Sequence, residues 1–83
     1  MKASILWIEG RRQTNPSLTS GLRQKGYYVE VVPNGKAALD RLENSIHDLI
    51  IVDAASLRTS GKRICQELRA QTQHIPILLI ANL

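Results

Sequence analysis

Residues 49–53 read Leu-Ile-Ile-Val-Asp, four consecutive aliphatic residues followed by a carboxylate. A short aliphatic run without a polar residue is typical of a strand that is covered on both faces. Such strands belong to parallel sheets, in which a helix usually joins each strand to the next. The stretch therefore predicts an α/β fold, and the segments on either side of it should alternate between helices and strands.

The rest of the chain follows this alternation. Short apolar or β-branched runs alternate with segments of helical periodicity, and glycine, proline or asparagine marks most of the switches. The predicted strands are residues 4–8, 27–32, 49–52 and 75–80, and the predicted helices are residues 16–25, 36–44 and 61–71. Residues 54–60 are predicted to form a loop, and Gly26 should end the first helix. The order β-α-β-α-β-α-β predicts an open parallel sheet with right-handed crossovers.

Length, charge and cysteine content narrow the function classes. Eighty-three residues suffice for one small domain. Eleven Lys and Arg against seven Asp and Glu give a net charge of +4, a mild basic excess. The single cysteine can form neither an internal disulfide nor a cysteine-based metal site, so we expect a protein of the reducing cytoplasm. The longest apolar run, residues 75–83, is shorter than the roughly 20 residues that span a bilayer. The sequence predicts one cytoplasmic domain over residues 1–83.

Two carboxylates follow strands that should be neighbours in such a sheet, Glu9 after the first strand and Asp53 after the third. Ligands of open α/β sheets bind beyond the carboxyl ends of the strands. Asp53 is therefore either a phosphoryl-accepting or metal-binding residue, or simply the polar residue that ends a buried strand. Two carboxylates 4 Å apart repel by up to ~4 kcal/mol at an effective dielectric constant near 20. A cation should sit between them, and Mg²⁺ and an arginine guanidinium are both candidates.

Basic residues are concentrated at the same end of the predicted sheet. Five of the eleven fall in loops or first helical turns there, namely Arg11, Arg12, Arg58, Lys62 and Arg63. Each of them alone is most simply a solvated loop charge. Together they predict an anion-attracting basic rim, which suits phosphate chemistry and weak nucleic-acid contact equally well. No nucleophile is paired with a base at a predicted strand end, so we do not expect an enzyme.

Four features of the sequence occur in a characteristic order. Residues 26–39 read Gly-Tyr-Tyr-Val-Glu-Val-Val-Pro-Asn-Gly-Lys-Ala-Ala-Leu, and residues 48–53 read Asp-Leu-Ile-Ile-Val-Asp. Gly61 follows Asp53 by eight residues, and residues 76–80 form an apolar run that begins with proline. In this order they resemble the receiver domain of two-component response regulators over essentially the whole chain. The resemblance implies a flavodoxin-like sheet of strand order 2-1-3-4 with three helices, lacking the fifth strand and last two helices of a full receiver. It also implies that Asp53 is the candidate phospho-acceptor.

The chain departs from that family at the phosphorylation site. Receivers usually end the first strand with two acidic residues that hold Mg²⁺, and here the pair reads Glu9-Gly10. The Ser or Thr that reports phosphorylation after the fourth strand is replaced by Ala81. The resemblance implies that Glu9, Asp53 and the backbone carbonyl of Ala55 would hold Mg²⁺, and the departures imply weak or absent binding.

These departures favour a degenerate receiver, or pseudoreceiver, that transmits signals through protein contacts. The alternative within the same fold is a Mg²⁺-dependent receiver that a histidine kinase phosphorylates on Asp53. A third hypothesis, of another class, is an anion or nucleic-acid binding module that uses the basic rim.

The resemblance implies as partners a histidine kinase or the output domain of a longer regulator, with nucleic acid contacted only through a separate domain. We expect no membrane partner. The last predicted strand is an apolar sheet edge, and such edges are prone to pair with other chains. We therefore also expect a homo-oligomer formed through the edge of strand four.

Overall fold

The computed structural model of the chain describes residues 2–10 and 16–80. Four strands and three helices alternate along them, with one short 3-10 helix after the third strand. The strands are β1 (Ser4–Ile8), β2 (Tyr28–Val32), β3 (Leu49–Asp53) and β4 (Ile77–Ile80), and the helices are α1 (Pro16–Gln24), α2 (Gly35–Asn44) and α3 (Gly61–Gln71). The 3-10 helix covers Ala54–Ser56, within a segment predicted to be an irregular loop.

All pairs of neighbouring strands in the four-stranded sheet are parallel, and their order is β2-β1-β3-β4. The predicted α/β fold with strand order 2-1-3-4 and three helices is thus confirmed. β1 lies between β2 and β3, and Ile8 is in register with both Val32 and Val52. The ends of β1, β2 and β3 are therefore level with one another, which brings the residues after them to one edge of the sheet.

Alternate residues of the central strands build a core on each face of the sheet. On one face Leu6, Ile8, Ile50 and Val52 are buried together with α2 and α3 residues such as Ala38, Ile64 and Leu68. On the other face Ile5, Trp7, Val29 and Ile51 form a smaller cluster, against which Leu22 of α1 packs. Because both faces of β1 and β3 are covered, residues 5–8 and 49–52 of these strands are all apolar, as the sequence pattern predicted.

The observed boundaries differ from the predicted ones where backbone hydrogen bonds decide them. Gly26 has a φ of 97° and, as predicted, ends α1. The Gly26 N–H donates to the Arg23 carbonyl and the Tyr27 N–H to the Leu22 carbonyl, at 3.0 and 3.1 Å. This is a Schellman motif, so Tyr27 belongs to the helix cap and β2 begins one residue later than predicted.

The start of α2 and the start of β4 are also each decided by a single residue. The Asn34 side chain accepts a 2.8 Å hydrogen bond from the Ala37 N–H, and α2 therefore begins at Gly35, one residue earlier than predicted. β4 begins at Ile77 rather than residue 75, because Pro76 has no N–H to donate to the ladder. No helix among the described residues is long and apolar enough to cross a membrane.

Candidate functional site

The two carboxylates singled out in the sequence lie on adjacent strands at the carboxyl edge of the sheet. Asp53 is the last residue of β3 and is fully buried, and Glu9 follows β1 with 8% of its surface exposed. The register pairs Ile8 with Val52, so Glu9 and Asp53 each come one residue after this pair. The backbones of neighbouring strands run about 4.8 Å apart. The structure thus places Glu9 and Asp53 at the same edge of the sheet.

Ser56, which the sequence analysis did not single out, holds the loop beside these acids in place through two hydrogen bonds. The Gly10 N–H donates to Ser56 Oγ at 2.9 Å, and the Ser56 hydroxyl donates to the Asp53 carbonyl at 2.8 Å. Ser56 is buried with 4% of its surface exposed. Its hydroxyl therefore ties the 3-10 helix to the ends of both β1 and β3, and we call this pair of hydrogen bonds the Ser56 clasp.

Gly10 fits beneath this clasp only because it has no side chain. An ideal Cβ atom on Gly10 would overlap the Ser56 carbonyl oxygen and lie 3.1 Å from a methyl carbon of Leu57. The backbone carbonyl cannot swing aside as a flexible side chain could. The position that carries the second strand-end acid in receivers thus has neither a carboxylate nor room for one while the loop is closed.

The donor set around Asp53 is incomplete for a receiver-type magnesium site. Glu9 and Asp53 are two carboxylates, and the backbone carbonyl of Ala55 lies in the 3-10 helix that follows. Within the described parts of the chain, no group of three or more His, Cys, Asp or Glu side chains could hold a metal ion. Glu9 Oε1 is buried without a hydrogen bond to any described residue, so one oxygen remains free for a cation. The residues present fit part of such a site and not the whole of it.

The basic rim is only partly assembled in the described structure. Arg58 and Arg63 line one open cleft beside the carboxyl edge, together with Lys36 from the first turn of α2. Lys62 is exposed on α3 and does not line this cleft. Arg11, Arg12 and the switch position Ala81 lie outside the described residues. Of the five residues predicted to form the basic rim, the described structure places Arg58 and Arg63 on this cleft, and Lys36 joins them there.

Two residues of this edge were missed by sequence reasoning, Lys36 and Ser56. Lys36 could have been found, since the start of every helix that follows a parallel strand lies at the carboxyl edge. Ser56 carries no such signal, because its role depends on the Gly10 N–H, 46 positions away in the sequence.

Comparison with known protein families gives an independent view of the same residues. Residues 5–82 match the sequence model of the response regulator receiver domain. The response regulator MprA of Mycobacterium sp. (strain KMS) is 32% identical over 80 residues, which are 96% of this chain and 35% of that protein. MprA of Mycobacterium tuberculosis (strain ATCC 25177 / H37Ra) is 31% identical over the same shares of the two chains. The chain thus spans about a third of the length of these curated relatives.

Two solved structures of similar shape are response regulator proteins. The response regulator TrrA from Thermotoga maritima, solved in complex with Mg(2+)-BeF, superposes with a TM-score of 0.77 at 26% identity over 93% of this chain and 67% of that one. The chemotaxis response regulator CheY4 of Vibrio cholerae superposes with a TM-score of 0.78 at 25% identity over 95% and 68%. TrrA has also been solved in complex with the histidine kinase ThkA.

Proposed function

Because the chain belongs to the response regulator receiver family, we propose that it is a receiver-like module of two-component signalling that acts through protein contacts without phosphorylation of Asp53. The Ser56 clasp is the observation that carries this proposal. It holds the Ser56 backbone in the space that a side chain at position 10 would need, and the Ser56 hydroxyl is hydrogen-bonded to the backbone on both sides. Phosphoryl transfer to Asp53 would lack part of the positive charge that stabilises the transferring oxygens.

The second candidate function is that of a Mg²⁺-dependent phospho-acceptor. One observation favours it, namely the buried Glu9 Oε1, which accepts no hydrogen bond from the described residues. A buried oxygen of this kind costs free energy unless a cation or a donor satisfies it. In this alternative Glu9, Asp53 and the Ala55 carbonyl would contact the metal, and a histidine kinase would supply the phosphoryl group.

A titration with Mg²⁺ and beryllium fluoride separates the two candidates. The Gly10 amide resonance is the best reporter, because its N–H is the donor of the Ser56 clasp. Trp7, buried in β1 two residues before Glu9, gives a fluorescence signal in the same samples. We expect neither signal to change in a saturable manner up to high millimolar Mg²⁺, since a receiver-type donor set is incomplete.

Two substitutions make the result specific to the site. Asp53→Asn removes the candidate phospho-acceptor, and Asp40→Asn removes one exposed carboxylate of α2, so that it reports only unspecific cation binding. A saturable shift of the Gly10 resonance that persists in Asp40→Asn and disappears in Asp53→Asn would contradict the proposal. It would establish the phospho-acceptor function instead.

The partners of this module are part of the proposal. The related TrrA forms a complex with a histidine kinase, and the curated relatives are about three times as long as this chain. We propose that residues 1–83 form one receiver-like domain that contacts a kinase or the output domain of a longer regulator. A cytoplasmic location remains a prediction.

Self-association through β4 is a further part of the proposal. β4 pairs only with β3 among the described strands, so its other side is a sheet edge. Leu78 and Leu79 are 52% and 40% exposed there. An apolar edge strand offers unpaired backbone groups and apolar side chains to a second copy, and pairing would cover both.

A further inference from the structure

The cleft beside the carboxyl edge adjoins the acidic pair, but neither of the two acids lines it. It encloses about 910 Å³, near the upper end of the ~300–1,000 Å³ typical of small-molecule sites. Its walls come from the turn into α2 and the start of that helix, from Ser56 and the loop after it, from α3, and from Gly10 after β1. Neither Glu9 nor Asp53 lines it, so a ligand in the cleft does not depend on phosphorylation chemistry.

The charge of the walls selects the class of ligand. Among the residues that the structure describes, three cationic side chains and one acid, Glu67, line the cleft. That acid is already engaged, because Arg63 Nε lies 3.3 Å from Glu67 Oε1. Lys36 and Arg58 are exposed cations for which the described structure shows no ion pair. A concave surface lined mainly by one sign of charge concentrates ions of the opposite sign.

The arginine side chains of the cleft favour phosphate or carboxylate as the anionic group of the ligand. Its planar guanidinium donates two parallel hydrogen bonds to phosphate or carboxylate oxygens, and lysine adds a point charge. Leu57 and Ile64 form an apolar part of the same wall, so the cleft can also cover an uncharged body attached to the anion. Phosphate esters of mononucleotide size combine these two features.

We propose that this cleft binds a mononucleotide-sized phosphate ester, whose phosphate groups Arg58 and Lys36 hold. The phosphate could belong to a free nucleotide or to a nucleic-acid strand, and the chemistry of the contact is the same. The size of the cleft favours the free nucleotide, since it accommodates one such molecule.

The experiment is a titration of the isotopically labelled chain followed by amide chemical shifts. The probes are ADP, adenosine and a short single-stranded oligonucleotide, all in the presence of EDTA, so that no magnesium site takes part. We expect ADP to shift the amides of Gly35 and Thr59, both of which line the cleft. Adenosine, which lacks the phosphates, should bind at least tenfold more weakly. Affinity for ADP should also fall as salt is added, because exposed charges are screened.

Three charge-neutralising variants test the assignment of residues. Arg58→Gln should weaken ADP binding about tenfold, since it removes a charge-assisted hydrogen bond. Lys36→Gln should weaken it about fivefold, because a single lysine contributes a point charge rather than a bidentate contact. Lys62→Gln is the matched control, an exposed basic residue of the same sheet edge that does not line the cleft. It should change the affinity less than twofold.

Four outcomes would overturn the proposal. They are no ADP-induced shift at millimolar concentration, equal binding of adenosine and ADP, equal weakening by Lys62→Gln and Arg58→Gln, and binding of the oligonucleotide without binding of ADP. The last would assign the basic surface to a nucleic-acid strand. None of these measurements involves Asp53, so the cleft and the phosphorylation-independent function can fail separately.

Discussion

Replacing Gly10 by alanine should destabilise the fold, and the structure allows the cost to be estimated. The added Cβ atom would overlap the backbone carbonyl oxygen of Ser56, and overpacking of this kind costs about 1–3 kcal/mol. The loop must move away, which lengthens the 2.9 Å hydrogen bond from the Gly10 N–H to Ser56 Oγ and costs about 0.5–1.5 kcal/mol more. We expect Gly10→Ala to lose about 2–4 kcal/mol of the free energy of unfolding.

Urea denaturation followed by Trp7 fluorescence measures this loss. With an m-value of about 1 kcal/mol/M for a small domain, the midpoint should fall by roughly 2–4 M. Gly21→Ala is the matched control, because Gly21 lies within α1 and a Cβ there would meet no atom within 4 Å. It should raise stability by about 0.5–1 kcal/mol, since alanine has the higher helix propensity.

The Ser56 clasp predicts a coupling between two substitutions. Ser56→Ala alone should cost about 1–3 kcal/mol, because the Gly10 N–H and the Asp53 carbonyl lose a buried partner. In combination with Gly10→Ala the loss should be smaller than the sum by about 0.5–1.5 kcal/mol, since one hydrogen bond has already been weakened. Gly10→Ala with wild-type stability, or strictly additive losses, would refute the closed loop.

Two further predictions concern the β4 edge and the only cysteine. Light scattering should detect concentration-dependent association that Leu79→Lys abolishes and Val31→Lys preserves, since Val31 is equally exposed, at 41%, on the opposite edge strand. A wild-type chain that stays monomeric at high concentration would contradict this. Burial raises the pKa of the Cys65 thiol above 9.0, and nearby Arg69 opposes the shift. The thiolate fraction near pH 8 is therefore reduced, and alkylation by iodoacetamide should be slower in the folded chain than in urea. Equal alkylation rates in the folded chain and in urea would contradict this prediction.

The fold could be predicted because its signals are local. The aliphatic run before Asp53 indicated a buried strand, and Gly26 indicated the end of α1; the structure bears out both. Boundaries were wrong by one or two residues where a single hydrogen bond decides them, as at Asn34 and Pro76. Such errors are expected from patterns of apolar residues, which do not specify the cap.

The site could be predicted only in part, because its contacts are long-range. The position of Glu9 and Asp53 followed from the rule that parallel strands end at one edge. The basic rim was assigned by position in the chain, and this could not distinguish Lys62, which faces solvent, from Lys36, which lines the cleft. Ser56 was missed because its hydroxyl group accepts from the backbone N–H of Gly10, which follows β1 and is 46 positions away in the sequence.

The central place of β1 has a consequence for the order in which the chain is made. Of the four described strands, β1 is synthesised first, yet its two partners are β2 and β3, each reached only after a crossover helix. No hairpin can shelter it in the meantime, because every strand pair in the sheet is parallel. Until residue 53 has been synthesised, an entirely apolar Ile-Leu-Trp-Ile segment is exposed to neighbouring nascent chains. We therefore expect this segment to be most prone to aggregation in the interval between the synthesis of β1 and that of β3.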